Sequence, residues 1–93
     1  MGYQQLQAQI SGLVQGVWFR ANTKQKADEL GITGTVHNLD NGDVACIAEG
    51  TTEQLNQLIA FWQSSPGGAR VQDIRVEWAD ARGAYKTFTI EYI

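Results

Sequence analysis

The sequence predicts an α+β fold in which two helices pack on one face of a mostly antiparallel sheet. Three short runs alternate apolar with polar residues, which is the pattern of half-buried strands, and two further strand-like runs flank an Asn-Gly pair. Two longer segments carry apolar residues at helical spacing. These segments follow one another as strand, helix, strand, strand, helix, strand, strand. Two strand–helix–strand units joined by a hairpin form the ferredoxin-like βαββαβ sandwich, here with an additional C-terminal strand.

The first strand and the first helix flank a loop that contains glycine. Alternation predicts a strand over residues 5–10, and Gly12 is expected to end it. A helical pattern begins at about Phe19, and Gly31 stands where a C-cap glycine belongs. In the loop between them, Gly16 can take a positive φ and tighten the turn.

A hairpin is predicted in the middle of the chain. Residues 33–39 are typical of a strand, with β-branched Thr35 and Val36, and residues 44–49 are predicted to form the next strand. Asn41-Gly42 stands between them, and Asn-Gly between two strand-like runs is the strongest short hairpin signal.

A capped helix and two more strands complete the second unit. Thr51 and Gln54 have the spacing of a capping box, and residues 64–68 should end the helix. The apolar stripe of this helix consists of Leu55, Leu58, Ile59 and Trp62. Alternating apolar residues then mark the fourth strand, at Ile74, Val76 and Trp78, and the fifth, at Phe88, Ile90 and Tyr92.

Length, charge and cysteine content narrow the class of protein. The 93 residues predict one domain over residues 1–93, with no room for a second core. A formal net charge of −3 disfavours nucleic acid as the main partner, because that binding needs a basic surface. The single cysteine, Cys46, excludes an internal disulfide and is expected in the core. No run of transmembrane length and no signal-peptide pattern is present, so a cytoplasmic protein is expected.

The stretch from Gly12 to Arg20, Gly-Leu-Val-Gln-Gly-Val-Trp-Phe-Arg, has the features of an anion site. Consecutive backbone N–H groups at the start of a helix bind phosphate-like anions. Arg20 adds a positive charge to the positive end of the helix, which suggests that an anion lies between them. The spacing supports equally an alternative in which Arg20 pairs with Asp40 or Asp43.

Asn38 is the second candidate site residue. Because a helix crosses over between strands one and two, these strands should run parallel and end at the same edge of the sheet. Asn38 should therefore face the loop, either as a turn-capping residue or as a carboxamide that holds a water molecule. Its neighbour His37 should point to the opposite face and lie outside the site.

The sequence offers no good candidate for a nucleophile. Cys46 lies outside the loop, and Ser11, directly before it, has no identifiable base. The strands also lack the aromatic signature of an RNA-binding sheet. The aromatic residues are expected mostly in the core or at its rim. They include Trp18, Phe61, Trp62, Trp78, Tyr85, Phe88 and Tyr92.

The loop from Gly12 to Arg20 resembles the signature G-x-V-Q-G-V-x-F-R of the acylphosphatases. Matches in register extend this resemblance from about Gln5 to Tyr92. They include Gly31-Ile32-Thr33-Gly34, Val36-His37-Asn38, Ala48-Glu49-Gly50, Pro66-Gly67-Gly68-Ala69-Arg70-Val71 and Tyr85. The chain departs from the family's frequent residues at Thr35 and Asn41, neither of which the family uses in its chemistry.

The resemblance implies an enzyme that hydrolyses acyl phosphates to a carboxylate and inorganic phosphate. It implies that Arg20 binds the phosphoryl oxygens together with loop N–H groups, and that Asn38 orients the attacking water. The loop N–H groups are those of Gln15, Gly16, Val17, Trp18, Phe19 and Arg20. The family uses no metal and no cofactor and forms no phosphoenzyme. Inorganic phosphate is expected to compete with the substrate, and the protein is expected to be a monomer without nucleic-acid or membrane partners.

The main alternative is a non-catalytic module of the same fold that binds a phosphate or a carboxylate ligand. Such a module would keep the loop, but it would have no need of Asn38, so the presence of both favours the enzyme. An RNA-binding domain is disfavoured by the acidic composition. A related fold also forms the N-terminal part of a carbamoyl-transfer maturation protein, but the chain's end after Tyr92 favours a standalone protein.

Overall fold

A computed structural model describes residues 3–92 and confirms the predicted α+β class and order of elements. Five strands and two helices lie within this part of the chain. They are β1 (Gln4–Leu13), α1 (Phe19–Leu30), β2 (Thr33–Asn38), β3 (Val44–Gly50), α2 (Thr52–Gln63), β4 (Arg70–Asp80) and β5 (Phe88–Ile90). Neither helix is long and apolar enough to cross a membrane, over the residues described.

The sheet brings the ends of β1 and β2 to one edge, as predicted. Its strand order is β4-β1-β3-β2-β5, and among the described strands only the β2–β5 pair is parallel. Because β1 and β2 both pair antiparallel with β3, they run parallel to each other. Val44 of β3 pairs with Ile10 on one side and with Asn38 on the other. Asn38 therefore lies level with Ile10, near the end of β1. The two residues are two strand spacings apart, or roughly 10 Å.

The core fills the space between the two helices and one face of the sheet. The buried apolar side chains form one cluster. Both helices contribute a buried residue to it, and so does every strand except β4. Cys46 belongs to it, as predicted, and burial raises the pKa of its thiol far above the ordinary value. The largest fully buried members are Trp62, Phe19, Phe88, Leu6, Ile10, Leu55 and Leu58.

The start of α2 is closed by its own side chains. The hydroxyl of Thr51 accepts a hydrogen bond from the Gln54 N–H at 3.1 Å, and the Gln54 carboxamide accepts one from the Thr51 N–H at 2.8 Å. The predicted capping box is thereby confirmed. Gln54 also donates to the Leu30 carbonyl at 2.8 Å, which ties α2 to the end of α1.

Strand β1 extends further than the sequence predicts. Gly12 does not end it: the strand continues to Leu13, and a bulge falls between Ser11 and Gly12 where β1 pairs with β4. Gly12 takes φ +124°, and a Cβ atom there would overlap the carbonyl oxygen of Arg70. The glycine therefore permits a close approach of two strands rather than stopping one.

Several aromatic residues lie outside the core, against expectation. Trp62 and Phe88 are buried, and the Trp62 indole N–H donates to the Thr23 hydroxyl at 3.0 Å. Trp18, Trp78 and Tyr92 are exposed instead. Trp18 lies in the β1–α1 connection, Trp78 on the edge strand β4, and Tyr92 beyond the end of β5, so each has neighbours on fewer sides than a core residue.

A buried carboxylate fixes the connection between β4 and β5. Glu49 accepts hydrogen bonds from the Gln5 carboxamide at 2.9 Å and from the backbone N–H groups of Arg82 and Gly83 at 2.8 and 3.0 Å. Burial raises the pKa of Glu49. These hydrogen bonds and the Arg82 charge lower it by a larger amount, so the pKa of Glu49 lies below the ordinary value.

We expect Glu49→Gln to lower the free energy of unfolding at pH 7 by about 1–2 kcal/mol, because charge-assisted hydrogen bonds are lost. The pKa of Glu49 is lower in the folded than in the unfolded protein, so its charge stabilises the fold. This stabilisation is complete above about pH 4.3, the ordinary pKa of glutamate. That stabilisation disappears as the pH falls through the folded pKa. Urea unfolding of wild type and variant should therefore give curves that converge below pH 4. The exposed Glu77, changed to Gln, is the matched control. An equal difference at pH 7 and pH 3 would contradict the role of the charge.

Candidate active site

A cavity of about 300 Å³ opens between the β1–α1 loop, the first turn of α1 and residues 90–92. Gly16, Trp18, Phe19 and Arg20 line one side of it, and residues 90 and 92 line the other. Four of the six loop positions predicted from the sequence thus meet at one cavity. Gln15 and Val17 do not line it.

The backbone of this loop presents a run of N–H groups without protein partners. Within residues 3–92, no N–H group from Gln15 to Arg20 donates to a protein acceptor. Trp18 is the N-cap of α1 in a left-handed conformation, φ +63°, and its side chain makes no capping hydrogen bond. Gly16 takes φ +77°, as expected. Unlike α2, this helix therefore begins with open donors, which is the arrangement that binds an anion.

Arg20 lies at the cavity without a carboxylate partner. No Asp or Glu oxygen of the described chain is within 4 Å of its guanidinium, so the predicted alternative, a pair with Asp40 or Asp43, is wrong. The Asp43 carboxylate accepts from the Gln9 carboxamide at 2.6 Å instead. The Arg20 guanidinium lies over the ring of Tyr92, 4.8 Å from its centroid. Its charge is available to a ligand.

Asn38 ends β2 beside the loop but does not line the same cavity. Its carboxamide oxygen is buried and has no hydrogen-bond partner among the described residues. Buried polar atoms without a partner are rare, because each costs about 1–3 kcal/mol. An acceptor of this kind next to an anion site is suited to hold a water molecule.

The Gln15 side chain joins the loop to the hairpin that follows Asn38. Its carboxamide donates to the carbonyl oxygens of Leu39 and Asp43, both at 2.8 Å. The sequence pointed only to the Gln15 backbone, since two carbonyl partners more than twenty positions away carry no sequence signal. These bonds hold the loop and the end of β2 in one arrangement.

We expect Gln15→Ala to weaken the site without unfolding the protein. Loss of both bonds frees the loop from the hairpin, so its N–H groups are less well placed for an anion, and activity should fall on the order of tenfold. Steady-state kinetics together with the inhibition constant of inorganic phosphate will measure this. Gln9→Ala is the control, because Gln9 bonds to the same hairpin and not to the loop. Equal effects of the two substitutions would contradict the role of Gln15.

His37 lies on the opposite face of the sheet from Asn38, as predicted. It borders a shallow hollow of about 530 Å³ on the open face, with Arg75 and Glu77. Its Nδ1 atom is 3.9 Å from a carboxylate oxygen of Glu91. Among the residues that the structure describes, no hydrogen bond or ion pair joins it to the loop. Within residues 3–92 no three His, Cys, Asp or Glu side chains are grouped as metal ligands.

Comparison with known proteins agrees with this geometry. A family model described as Acylphosphatase matches residues 6–90. The chain belongs to the acylphosphatase family. An acylphosphatase of Caldanaerobacter subterraneus subsp. tengcongensis is 43% identical over 81 residues, which cover 87% of this chain and 90% of that relative. An acylphosphatase of Dehalococcoides mccartyi is 41% identical over 88 residues, 94% of this chain and 97% of the relative.

A solved structure of the same family supports the fold. The crystal structure of acylphosphatase from Bacillus subtilis matches with a TM-score of 0.91 and 30% identity, over 96% of this chain and 99% of that chain. The reaction of this family is the hydrolysis of an acyl phosphate to a carboxylate and inorganic phosphate.

Proposed function

We propose that this acylphosphatase holds the phosphoryl group of its substrate on the loop N–H groups and Arg20, and that water placed by Asn38 attacks it. The observation that carries the proposal is the run of backbone N–H groups from Gln15 to Arg20 without protein acceptors, next to a guanidinium without a carboxylate partner. The backbone N–H groups carry partial positive charge and the guanidinium a full one, whereas the phosphoryl group of an acyl phosphate is negative.

The chemistry requires little more than positioning and charge. The carboxylate leaving group is weakly basic, so its departure needs no general acid at neutral pH. Fixed donors around the phosphoryl oxygens stabilise the charge that they carry in the transition state. The backbone donors need no reorganisation during the reaction, because the helix and the Gln15 bonds already hold them.

The attacking water completes the reaction. A new bond forms between the water oxygen and phosphorus while the bond from phosphorus to the acyl oxygen breaks. The electron pair leaves with the carboxylate, and a water proton passes to a phosphoryl oxygen, giving inorganic phosphate. Asn38 supplies the acceptor that fixes the water. We propose no metal, no cofactor and no side-chain base for this step.

We further propose a single-domain monomer that works in the cytoplasm and has neither nucleic acid nor membrane as a partner. The buried free thiol of Cys46 is compatible with a reducing compartment. The net charge of −3 opposes nucleic-acid binding. Light scattering after size exclusion tests whether the protein is a monomer. Cell fractionation tests whether it lies in the cytoplasm.

Hydrolysis of benzoyl phosphate in the presence of EDTA tests the function. We expect metal-independent turnover of benzoyl phosphate, much slower turnover of phenyl phosphate, and competitive inhibition by inorganic phosphate. Phenyl phosphate is the control because its leaving group is far more basic. Tight phosphate binding without any turnover would instead support the non-catalytic binding module. Equal rates on the two substrates would contradict an acyl-phosphate enzyme.

A further inference from the structure

Two exposed aromatic side chains border the cavity, and phosphate binding does not explain them. Trp18 is 80% exposed and Tyr92 is 79% exposed, the highest values among the large apolar residues described. Both line the cavity that Arg20 lines. A phosphoryl group needs donors and positive charge, and aromatic surface contributes little to its recognition.

Trp18 contributes little to the fold at its position. The indole is largely in water, and the side chain makes no capping hydrogen bond to α1. Its backbone is left-handed, a conformation that a large side chain adopts rarely and at some cost. A strained, exposed aromatic residue at the edge of a ligand cavity points to a role in binding.

Tyr92 borders the other side of the cavity. One face of its ring is covered by the Arg20 guanidinium, which fixes the ring next to the anion site. Ile90 adds apolar surface beside it. In an acyl phosphate the acyl group is only one oxygen away from the phosphorus. When Arg20 holds the phosphoryl group, the acyl group must therefore lie in the remainder of the same cavity.

We propose that Trp18, Ile90 and Tyr92 form an acyl cleft that favours flat, aromatic acyl groups, with Trp18 as the main determinant. This proposal rests on the proposed function. Rings stack or meet edge to face with a gain beyond simple burial, so the indole distinguishes a benzoyl group from a saturated ring of similar size. The cavity, about 300 Å³, is at the small end of ligand sites and suits one compact acyl group.

The test compares kcat/KM for benzoyl, cyclohexanecarbonyl and acetyl phosphate in wild type, Trp18→Ala and Trp18→Phe. The wild type should prefer benzoyl over cyclohexanecarbonyl phosphate. In Trp18→Ala the ratio of benzoyl to acetyl phosphate should fall about tenfold, whereas Trp18→Phe should retain most of it. Any effect of the substitution on the loop backbone is common to the substrates and cancels in the ratio. Trp78→Ala, on the far edge strand, is the matched control and should leave the ratio unchanged.

A binding measurement separates this proposal from the chemistry. In phenacylphosphonate and acetonylphosphonate a CH2 group replaces the oxygen between phosphorus and the acyl group, so neither is hydrolysed. Their inhibition constants should show the same preference and the same loss in Trp18→Ala. An unchanged ratio in Trp18→Ala, or an equal loss for benzoyl and cyclohexanecarbonyl groups, overturns the aromatic cleft. A wild type that binds the phosphonates selectively but hydrolyses none of the phosphates supports the cleft and overturns the proposed function.

Discussion

Arg20→Gln should reduce kcat/KM for benzoyl phosphate by at least 10²–10³, the usual effect of removing one donor to a developing charge. The guanidinium is always charged and can give two parallel hydrogen bonds to phosphoryl oxygens, which glutamine cannot replace. Arg20 also has no carboxylate partner to release among the described residues, so the loss falls on the ligand. The inhibition constant of inorganic phosphate should rise with it, since we propose that the same charge binds the product.

Arg75→Gln provides the control for the change in net charge. Arg75 is exposed on β4, and its guanidinium lies 3.6 Å from the Asp73 carboxylate, so it shares the charge of Arg20 but not its place at the cavity. Circular dichroism should show an intact fold for both variants, because the stacking of Arg20 on Tyr92 contributes only about 0.5–1 kcal/mol. A similar loss of activity in both variants would mean that the general field of the protein, and not Arg20 itself, attracts the substrate.

Most of the fold could be predicted because its signals are local. Thr51 and Gln54 are three positions apart and form the capping box that their spacing predicts. Gly31 caps α1 in the left-handed conformation, as predicted. The predicted end of β1 at Gly12 was wrong, because a glycine can permit a bulge as well as a turn. Only the close approach of Arg70, nearly sixty positions away, decides between the two.

The site could be predicted only in part, because some of its contacts join residues that are far apart in the sequence. The loop is a contiguous motif, and the parallel course of β1 and β2 follows from the order of elements, so Asn38 could be placed near it. The Gln15 bonds to the hairpin depend on the exact register of two loops. The position of Tyr92 over Arg20 depends on where the last residues run after β5. No periodicity encodes either contact, so the acyl cleft had no signal in the sequence.

Asn38→Ala should separate binding from turnover. We expect kcat to fall on the order of 10²–10³, because the water is no longer held for attack, whereas the inhibition constant of phosphate should change little. Arg20 and the loop donors, which we propose hold the phosphate, are untouched by this substitution. The kinetic signature is thus opposite to that of Arg20→Gln, in which binding of phosphate is lost as well.

Stability provides the second part of this prediction. The buried Asn38 oxygen accepts no hydrogen bond from the described chain, so its loss breaks no hydrogen bond within the protein. The melting temperature of Asn38→Ala should therefore stay close to that of the wild type. Asn56→Ala, on the exposed face of α2, is the control for a loss of asparagine without effect on the site. If Asn38 only capped the turn, Asn38→Ala would lower the melting temperature and keep most of kcat. A loss of kcat without a loss of stability is expected only when the side chain is kept for catalysis.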